Sequence, residues 1–292
     1  MVKVVSGLLL LLTIYFAIVF FKDYAKTSKE GNLEKTNFFA LGAVGFLTNF
    51  LDTLGIGSFA PTTALLKFFK LSKDRTIPGT LNVACTIPVV VEALIFITVI
   101  KVEPVTLFSM LVAATVGAFV GASIVSKLDE KKVQIGMGIA LLVVALLMLA
   151  SQLKLMPAGG DAIGLTGGKL IVAVIVNFIL GALMTLGIGL YAPCMALVFA
   201  LGMSPKVAFP IMMGSCAFLM PAASAKFVKE GAYDRKASMA ITIFGTIGVF
   251  IAAYIVKELP LKILTWLVIV VIFYTAAMMF KSASKSKAAS RA

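Results

Sequence analysis

The chain contains no histidine, only 13 acidic residues and only three cysteines among 292 residues. Histidine is the commonest general base and a frequent metal ligand, so its absence argues against hydrolytic and metal chemistry. The cysteines, Cys85, Cys194 and Cys216, form no Cys-x-x-Cys pair, and no apolar segment carries two carboxylates. These absences predict a protein that is not an enzyme and has no metal or cofactor. We interpret the cysteines as packed apolar residues, with a sulfur-relay role as the alternative.

Charged residues are also scarce, at 13%, whereas 61% of the residues are hydrophobic and the mean hydropathy is +1.07. A soluble domain has about a quarter charged residues, so this composition predicts a polytopic membrane protein. An apolar run of roughly 18 residues or more can cross the hydrocarbon core. Seven runs of that length are Val4–Phe21, Ile77–Ile100, Pro104–Ser126, Val133–Leu153, Val207–Lys226, Ala237–Val256 and Leu261–Phe280.

Two further apolar stretches, Phe38–Phe69 and Leu170–Leu201, are each 32 residues long and contain nearly the same phrase. The phrase reads Thr-Leu-Gly-Ile-Gly-Ser-Phe-Ala-Pro from Thr53 and Thr-Leu-Gly-Ile-Gly-Leu-Tyr-Ala-Pro from Thr185. A straight helix of this length would reach ~48 Å, too long for one crossing. Glycine and proline at the centre of each stretch predict two short helices that meet at a turn. We expect the second helices at Thr62–Phe69 and Cys194–Ala200.

The positions of lysine and arginine predict how the two long stretches sit in the membrane. If both stretches turn back within the bilayer, 19 of the 26 basic residues fall on one side, which is then the cytoplasm. If both cross, the split is nearly even. The favoured arrangement gives each repeat one re-entrant hairpin and three crossings. Because three is odd, the second repeat is inverted relative to the first, with the N-terminus outside and the C-terminus in the cytoplasm.

The predicted fold is therefore an all-α polytopic protein of the cell (plasma or inner) membrane with two inverted repeats and an extra N-terminal helix. Residues 1–36 form that helix and a cytoplasmic loop, 37–153 the first repeat, 154–169 an outside linker, 170–280 the second repeat and 281–292 a disordered cytoplasmic tail. The net charge of +13 follows from the cytoplasmic lysines. The lipid bilayer, not nucleic acid, is the expected partner; the oligomeric state stays open.

The centre of each long stretch is a candidate binding site for an anion. The helix after each turn would direct its N-terminus, with a partial positive charge and free N–H groups, toward the middle of the protein. The alternative is that glycine and proline only permit tight packing, and that the polar residues bridge helices. The predicted substrate-binding residues are Thr53, Gly55, Ile56, Gly57, Ser58, Thr80, Asn82, Thr185, Gly187, Ile188, Gly189, Leu190 and Ser215.

Two acidic residues, Asp52 and Glu92, lie inside apolar segments, where an ionised group costs at least ~2.5 kcal/mol. Asp52 directly precedes the first phrase, and Met184 stands at its place in the second repeat. An acid without a repeat counterpart predicts an asymmetric role, the coupling of transport to protons or sodium, rather than a local role in the turn. Glu92 either has a function of its own or pairs with a lysine of a neighbouring helix.

The pattern of an acid, Gly-Ile-Gly, Ala-Pro and a polar helix start, repeated in the second half, resembles the TauE/SafE sulfite exporter family. The resemblance spans roughly Phe38 to Phe280. It implies a membrane transporter, commonly a secondary exporter, of sulfite, sulfonates or related organic anions, and an alternating-access mechanism fits it. A passive anion channel and a membrane scaffold are the alternatives. The matching positions are Gly55, Ile56, Gly57 and Pro61 in the first half and Gly187, Ile188, Gly189 and Pro193 in the second.

Overall fold

The computed structural model describes residues 2–96, 102–156, 159–254 and 261–289, and within them the regular secondary structure is helical, with one isolated bridge between Ala162 and Met203. A short 3-10 turn, Asp74–Thr76, precedes the fourth helix. The helices are α1 Val2–Lys29, α2 Phe38–Thr53, α3 Phe59–Phe68, α4 Ile77–Phe96, α5 Pro104–Val125, α6 Glu130–Gln152, α7 Gly167–Met184, α8 Tyr191–Ala200, α9 Pro205–Lys229, α10 Arg235–Tyr254 and α11 Leu261–Ala289.

Eight helices in the described residues are long and apolar enough to cross a membrane, namely α1, α4, α5, α6, α7, α9, α10 and α11. Helix α2 is apolar but shorter. Large apolar side chains such as Leu11 and Val270 are two-thirds exposed, as expected for helices that face lipid. The prediction of an all-α, multi-pass membrane protein is confirmed.

Both long apolar stretches are interrupted at the repeated phrase. Helix α2 ends at Thr53 and α3 begins at Phe59, while α7 ends at Met184 and α8 begins at Tyr191. We call residues 54–58 the first break and residues 185–190 the second break. Helices α3 and α8 begin three residues earlier than predicted, because proline is tolerated throughout the first helical turn, where the N–H groups have no partner within the helix.

The two ends of each interrupted stretch lie close together. Thr36 Oγ1, just before α2, donates a hydrogen bond to the carbonyl oxygen of Leu71, just after α3, at 3.3 Å. In the second half, Lys169 Nζ at the start of α7 donates to the carbonyl oxygen of Leu201 after α8, at 3.1 Å. Each interrupted stretch therefore starts and finishes in one region of the protein.

The two ends of the helical bundle are distinguished by their polar contacts. At one, which we call the lysine-rich end, Arg235 Nε donates to Asp23 Oδ2 at 2.7 Å and Lys67 Nζ donates to Ser282 Oγ at 3.0 Å. These contacts join α1 to α10 and α3 to α11. At the other, which we call the linker end, the N–H of Glu103 donates to the carbonyl oxygen of Ile163 at 2.9 Å.

The packing of the helices relates the two halves. Helix α2 packs against α10, and its counterpart α7 packs against α5; likewise α4 contacts α10 as α9 contacts α5. Glycines permit these close contacts, since a Cβ at Gly117 of α5 would collide with the carbonyl oxygen of Phe178 in α7, and one at Gly45 of α2 would lie 2.5 Å from Ile241 Cα in α10. The spacing Gly117-x-x-x-Gly121 is typical of such packing between membrane helices.

Three predicted boundaries differ from the structure. Helix α1 continues to Lys29, so much of the expected polar loop is helical, and α7 begins at Gly167, three residues before the predicted second repeat. Helix α11 continues to Ala289, so the prediction of a disordered tail is wrong for residues 281–289. Alanine and lysine in that segment are good helix formers, and they extend the helix beyond its apolar part.

Candidate functional site

A small cavity, of about 50 Å³, lies between the two breaks. The first break contributes Ile56, Gly57 and Ser58, and the second contributes Gly189 and Leu190. One water needs roughly 10–15 Å³ of such space, so the cavity has the size of an ion with a few heavy atoms. The other lining residues are Asp52, Phe59, Ala60, Val89, Val144, Met148, Met184, Tyr191 and Cys216.

Two helix N-termini border this cavity. Phe59 and Ala60 of α3 and Tyr191 of α8 are lining residues in the first turns of their helices. The first N–H groups of a helix have no acceptor within it, and the aligned peptide dipoles place a partial positive charge there. The first hydrogen bond of α3 runs from the N–H of Thr62 to the carbonyl oxygen of Ser58, at 2.9 Å. This arrangement suits an anion.

The four glycines of the repeated phrase differ in their surroundings. Gly55, Gly57 and Gly187 have φ of +88°, +90° and +108°, which L-residues rarely adopt. A Cβ at Gly187 would approach Met137 Cε at 3.2 Å, whereas one at Gly57 or Gly189 would meet no atom within 4 Å. Gly189, which has no positive φ, is therefore a glycine whose missing side chain leaves open space in the cavity wall.

Asp52 lies at the end of α2, is only 3% exposed and lines the cavity. Its Oδ2 accepts a hydrogen bond from Ser58 Oγ at 2.6 Å, and this bond spans the first break. Met184 lines the cavity from α7, in the place of Asp52 in the second half. The acid therefore supports the turn and also faces the space between the breaks, so both roles predicted for it agree with its position.

Five predicted site residues lie in the breaks or next to them but do not line the cavity. Gly55 is exposed, whereas Gly187 and Ile188 are buried. The hydroxyl of Thr53 donates to the carbonyl oxygen of Asn49 at 3.0 Å, and that of Thr185 to Ala182 at 2.7 Å. Their side chains bond to the preceding turn of their own helix.

Thr80 and Ser215 are also outside the cavity lining. Thr80 Oγ1 accepts a hydrogen bond from the N–H of Asp234 at 2.9 Å, which places it at the lysine-rich end. Ser215 Oγ accepts from Asn177 Nδ2 at 3.1 Å and so joins α9 to α7. These contacts favour the alternative interpretation of both hydroxyls as links between structural elements.

Asn82 is buried near the second break without lining the cavity. Its Nδ2 donates to the carbonyl oxygen of Pro78 at 2.9 Å and contacts that of Thr185 at 3.5 Å. Its Oδ1 has no partner among the described residues. Asn82 therefore attaches α4 to the residue at which the second break begins.

The family model described as Sulfite exporter TauE/SafE matches residues 1–148 and 170–292. The chain belongs to this family. The match extends beyond the resemblance seen from Phe38 to Phe280, because it includes α1 and the tail, and it omits residues 149–169, which cover the expected linker. Membership in TauE/SafE indicates a membrane transporter of sulfite-like anions, in agreement with a protein that is not an enzyme. No curated protein and no solved structure significantly matches the chain.

Two polar cavity residues of this TauE/SafE protein escaped the sequence prediction. Tyr191 stands where the first half has Phe59, so the second half places one extra hydroxyl at the cavity. This is one of the two differences between the copies of the phrase, and it was the available signal. Cys216 lines the cavity from α9, far from the phrase in sequence, and no pattern pointed to it. Cys85, Cys194 and Cys216 are all buried free thiols.

Glu92 of this TauE/SafE protein is fully buried in α4. Neither of its carboxyl oxygens has a hydrogen-bond partner among the described residues. The interpretation that Glu92 pairs with a lysine of a neighbouring helix is therefore wrong for the described part of the chain.

Proposed function

We propose that this TauE/SafE protein is a secondary transporter that binds a small anion, such as sulfite, a sulfonate or a related organic anion, between its two breaks. The observation that carries the proposal is the cavity bordered by the first turns of both α3 and α8. Two helix N-termini that meet at one small cavity combine their partial positive charges and their unpaired N–H groups. The apolar lining around them excludes water, which strengthens the attraction for an anion.

The proposed route uses two re-entrant hairpins in inverted repeats, with alternating access to a central site. The contact of Thr36 with Leu71 supports a first hairpin that enters and leaves at the lysine-rich end. The contact of Lys169 with Leu201 supports a second hairpin that enters and leaves at the linker end. Since lysine-rich loops favour the cytoplasm, the N-terminus and the linker would face outside. Broken helices of this kind are typical binding elements of secondary transporters.

The proposed binding site contains fewer residues than the sequence suggested. It comprises the residues of the two breaks that line the cavity, with backbone N–H groups as the donors, because the hydroxyl of Ser58 is donated to Asp52. Thr80, Asn82 and Ser215 are left out, because their polar groups bond elsewhere. Asp52 would carry a negative charge beside the anion unless a cation neutralises it. We therefore propose that Asp52 couples the anion to a proton or sodium.

Substitution of Gly189 by alanine tests the site. The new methyl group would point into the open space at the cavity wall without backbone strain, because Gly189 has no positive φ. We expect sulfite affinity, measured by calorimetry on the purified protein, to fall at least about tenfold, which corresponds to ~1.4 kcal/mol. Gly168→Ala is the matched control, since it too has no atom within 4 Å and lies outside the cavity lining.

Equal affinities in Gly189→Ala and wild type would contradict the proposed site. Titration of the wild type with sulfite, sulfate, thiosulfate, methanesulfonate and acetate identifies the preferred anion. Ion conductance of reconstituted protein far above carrier turnover would contradict alternating access and favour a passive channel.

A further inference from the structure

Glu92 is the buried ionisable group that the proposed anion site leaves unexplained. It lies in α4, a candidate membrane span, and it is 0% exposed. Both carboxyl oxygens lack a hydrogen-bond partner among the described residues. A buried carboxylate with neither a hydrogen-bond donor nor a cationic side chain beside it is far less stable than a neutral carboxyl group in the same place. In this conformation Glu92 is therefore expected to hold a proton.

The position of Glu92 connects it to the cavity. Cys85, Val89 and Glu92 follow one another at helical spacings of four and three residues and so share one face of α4. Val89 of this face lines the cavity. Glu92 therefore lies about one helical turn beyond the cavity wall, on the side of α4 that faces the breaks.

The titratable groups around Glu92 come from four helices. Asp52 of α2, Tyr191 of α8 and Cys216 of α9 line the cavity that Val89 of α4 also lines, and Cys85 lies on the same face of α4. No lysine or arginine lines this cavity or bonds to Glu92 in the described part of the chain. The Tyr191 hydroxyl, like the carboxyl oxygens of Glu92, has no hydrogen-bond partner there.

From this arrangement we infer that Glu92 is the proton-carrying residue of the transporter and that it exchanges its proton with Asp52 at the cavity wall. The proposal rests on the proposed function, since it specifies how Asp52 is neutralised when the anion binds. The O–H of Glu92 gives its proton to the Asp52 carboxylate through water in the cavity, which leaves Glu92 ionised until a proton returns to it by the same route. Charge is conserved, because one carboxyl group becomes neutral as the other becomes ionised.

The surroundings favour a proton over sodium. Hard metal cations bind through several oxygen ligands at once. Neither carboxyl oxygen of Glu92 has a polar partner among the described residues, so the several oxygen ligands of a metal cation are not gathered around it, whereas a proton needs only one carboxyl oxygen. The absence of a symmetric partner agrees with a coupling role, since α9, the counterpart of α4, contains no acidic residue.

Infrared spectroscopy on purified protein at neutral pH tests where the proton lies. The wild type should show the carbonyl band of a protonated, buried carboxyl group, and Glu92→Gln should lose it. Asp52→Asn should keep that band, which separates the two acids. A spectrum of the wild type without the band, or an unchanged band in Glu92→Gln, would overturn the proposal.

Transport in proteoliposomes supplies the second measurement. Glu92→Gln should still bind sulfite and exchange it across the membrane, but should lose pH-gradient-driven accumulation at least about tenfold. Wild-type accumulation that follows a sodium gradient and ignores a pH gradient would refute the proton site, while sulfite binding would leave the anion proposal intact. A wild type that binds neither sulfite nor the other anions would refute both. If Glu92→Gln does not fold, two measurements on the wild type still test the proposal. They are the infrared band and the response of sulfite accumulation to a pH gradient or a sodium gradient.

Discussion

At the scale of single residues, the two breaks share the Gly-Ile-Gly sequence but differ in the side chains on either side of it. Both contain Gly-Ile-Gly and begin a helix at the cavity, yet Asp52 and Ser58 of the first half correspond to Met184 and Leu190 of the second. The shared backbone supplies two sets of N–H groups, which an anion needs. The acid and its hydroxyl partner occur once, which suits a coupling step that involves one cation.

Asp52→Asn should separate anion binding from coupling. Asparagine keeps the size of the side chain and can still accept the hydrogen bond from Ser58, so the first break should stay intact. Without a titratable group, accumulation of sulfite driven by an ion gradient should be lost, while anion exchange between the two sides continues. The measurement is uptake into proteoliposomes with and without an imposed gradient. Accumulation at the wild-type level would show that Asp52 is not the coupling residue.

Asp234, at the lysine-rich end outside the membrane spans, should make stability depend on pH. Its carboxyl accepts hydrogen bonds from Ala237 N–H at 2.8 Å and Ser72 Oγ at 3.1 Å, but burial raises the pKa of Asp234 to about 6 from an ordinary 3.8. Between these values the unfolded chain has lost the proton that the folded protein retains. The contribution of Asp234 to stability is therefore largest below pH 4, falls as pH rises to 6 and then levels off.

The two-unit difference in the pKa of Asp234 corresponds to a loss of the order of 3 kcal/mol. Asp234→Asn should remove this part of the pH dependence. The measurement is the thermal unfolding midpoint of both proteins in detergent from pH 4 to pH 7, and the quantity of interest is the difference between them. A difference that does not change with pH would show that Asp234 ionises normally.

At the scale of helices, proline alone does not explain where the chain breaks. Helix α9 runs uninterrupted from Pro205 to Lys229 with Pro210 and Pro221 inside it, and α4 contains Pro88. The breaks occur where glycines with positive φ precede the proline, at Gly55, Gly57 and Gly187. A left-handed residue ends the helical hydrogen-bond pattern, and the following proline is then accommodated in the first turn of a new helix.

Close packing between α5 and α7 should depend on Gly117. A methyl group there would collide with the backbone of Phe178, which cannot move without the whole helix. We expect Gly117→Ala to destabilise the protein by about 1–3 kcal/mol or more, the usual effect of overpacking. Gly7→Ala in α1 is the control, because no atom lies within 4 Å of the added group. Thermal unfolding in detergent should show a lowered midpoint for Gly117→Ala alone.

At the scale of the whole molecule, the contacts between helices follow the same pattern when the two halves are interchanged. Each contact between a helix of the first half and one of the second has a counterpart with the roles reversed, as in α2 with α10 and α7 with α5. Helices α4 and α9, and likewise α6 and α11, are counterparts that contact each other. Such an arrangement is the one expected of two repeats that pack face to face around a shared site.

Cysteine labelling tests the proposed orientation of this arrangement. Lys73 at the lysine-rich end and Lys206 at the linker end are both exposed, whereas the native cysteines are buried and should react little. With a membrane-impermeant maleimide on intact cells, Lys206→Cys should be labelled, and Lys73→Cys should react only after the membrane is opened. Labelling of both positions from the same side would contradict the inverted repeats.

Much of this protein follows from local properties of the sequence. Composition alone predicts a membrane protein, because apolar residues in runs of this length are stable only in lipid. The repeated phrase predicts both helix breaks and the helix starts that follow them, because glycine and proline act on the backbone where they stand. The same phrase carries the resemblance to TauE/SafE proteins, which the family match confirms.

Only the tertiary structure decides which side chains meet. It brings Tyr191 and Cys216 to the cavity and directs Thr80 to Asp234 instead, although all lie in similar apolar surroundings in the sequence. It also leaves Glu92 without the lysine partner that sequence reasoning allowed. The physical reason is that a helical side chain finds its partners on other helices, and the rotation and pairing of those helices depend on packing along their whole length.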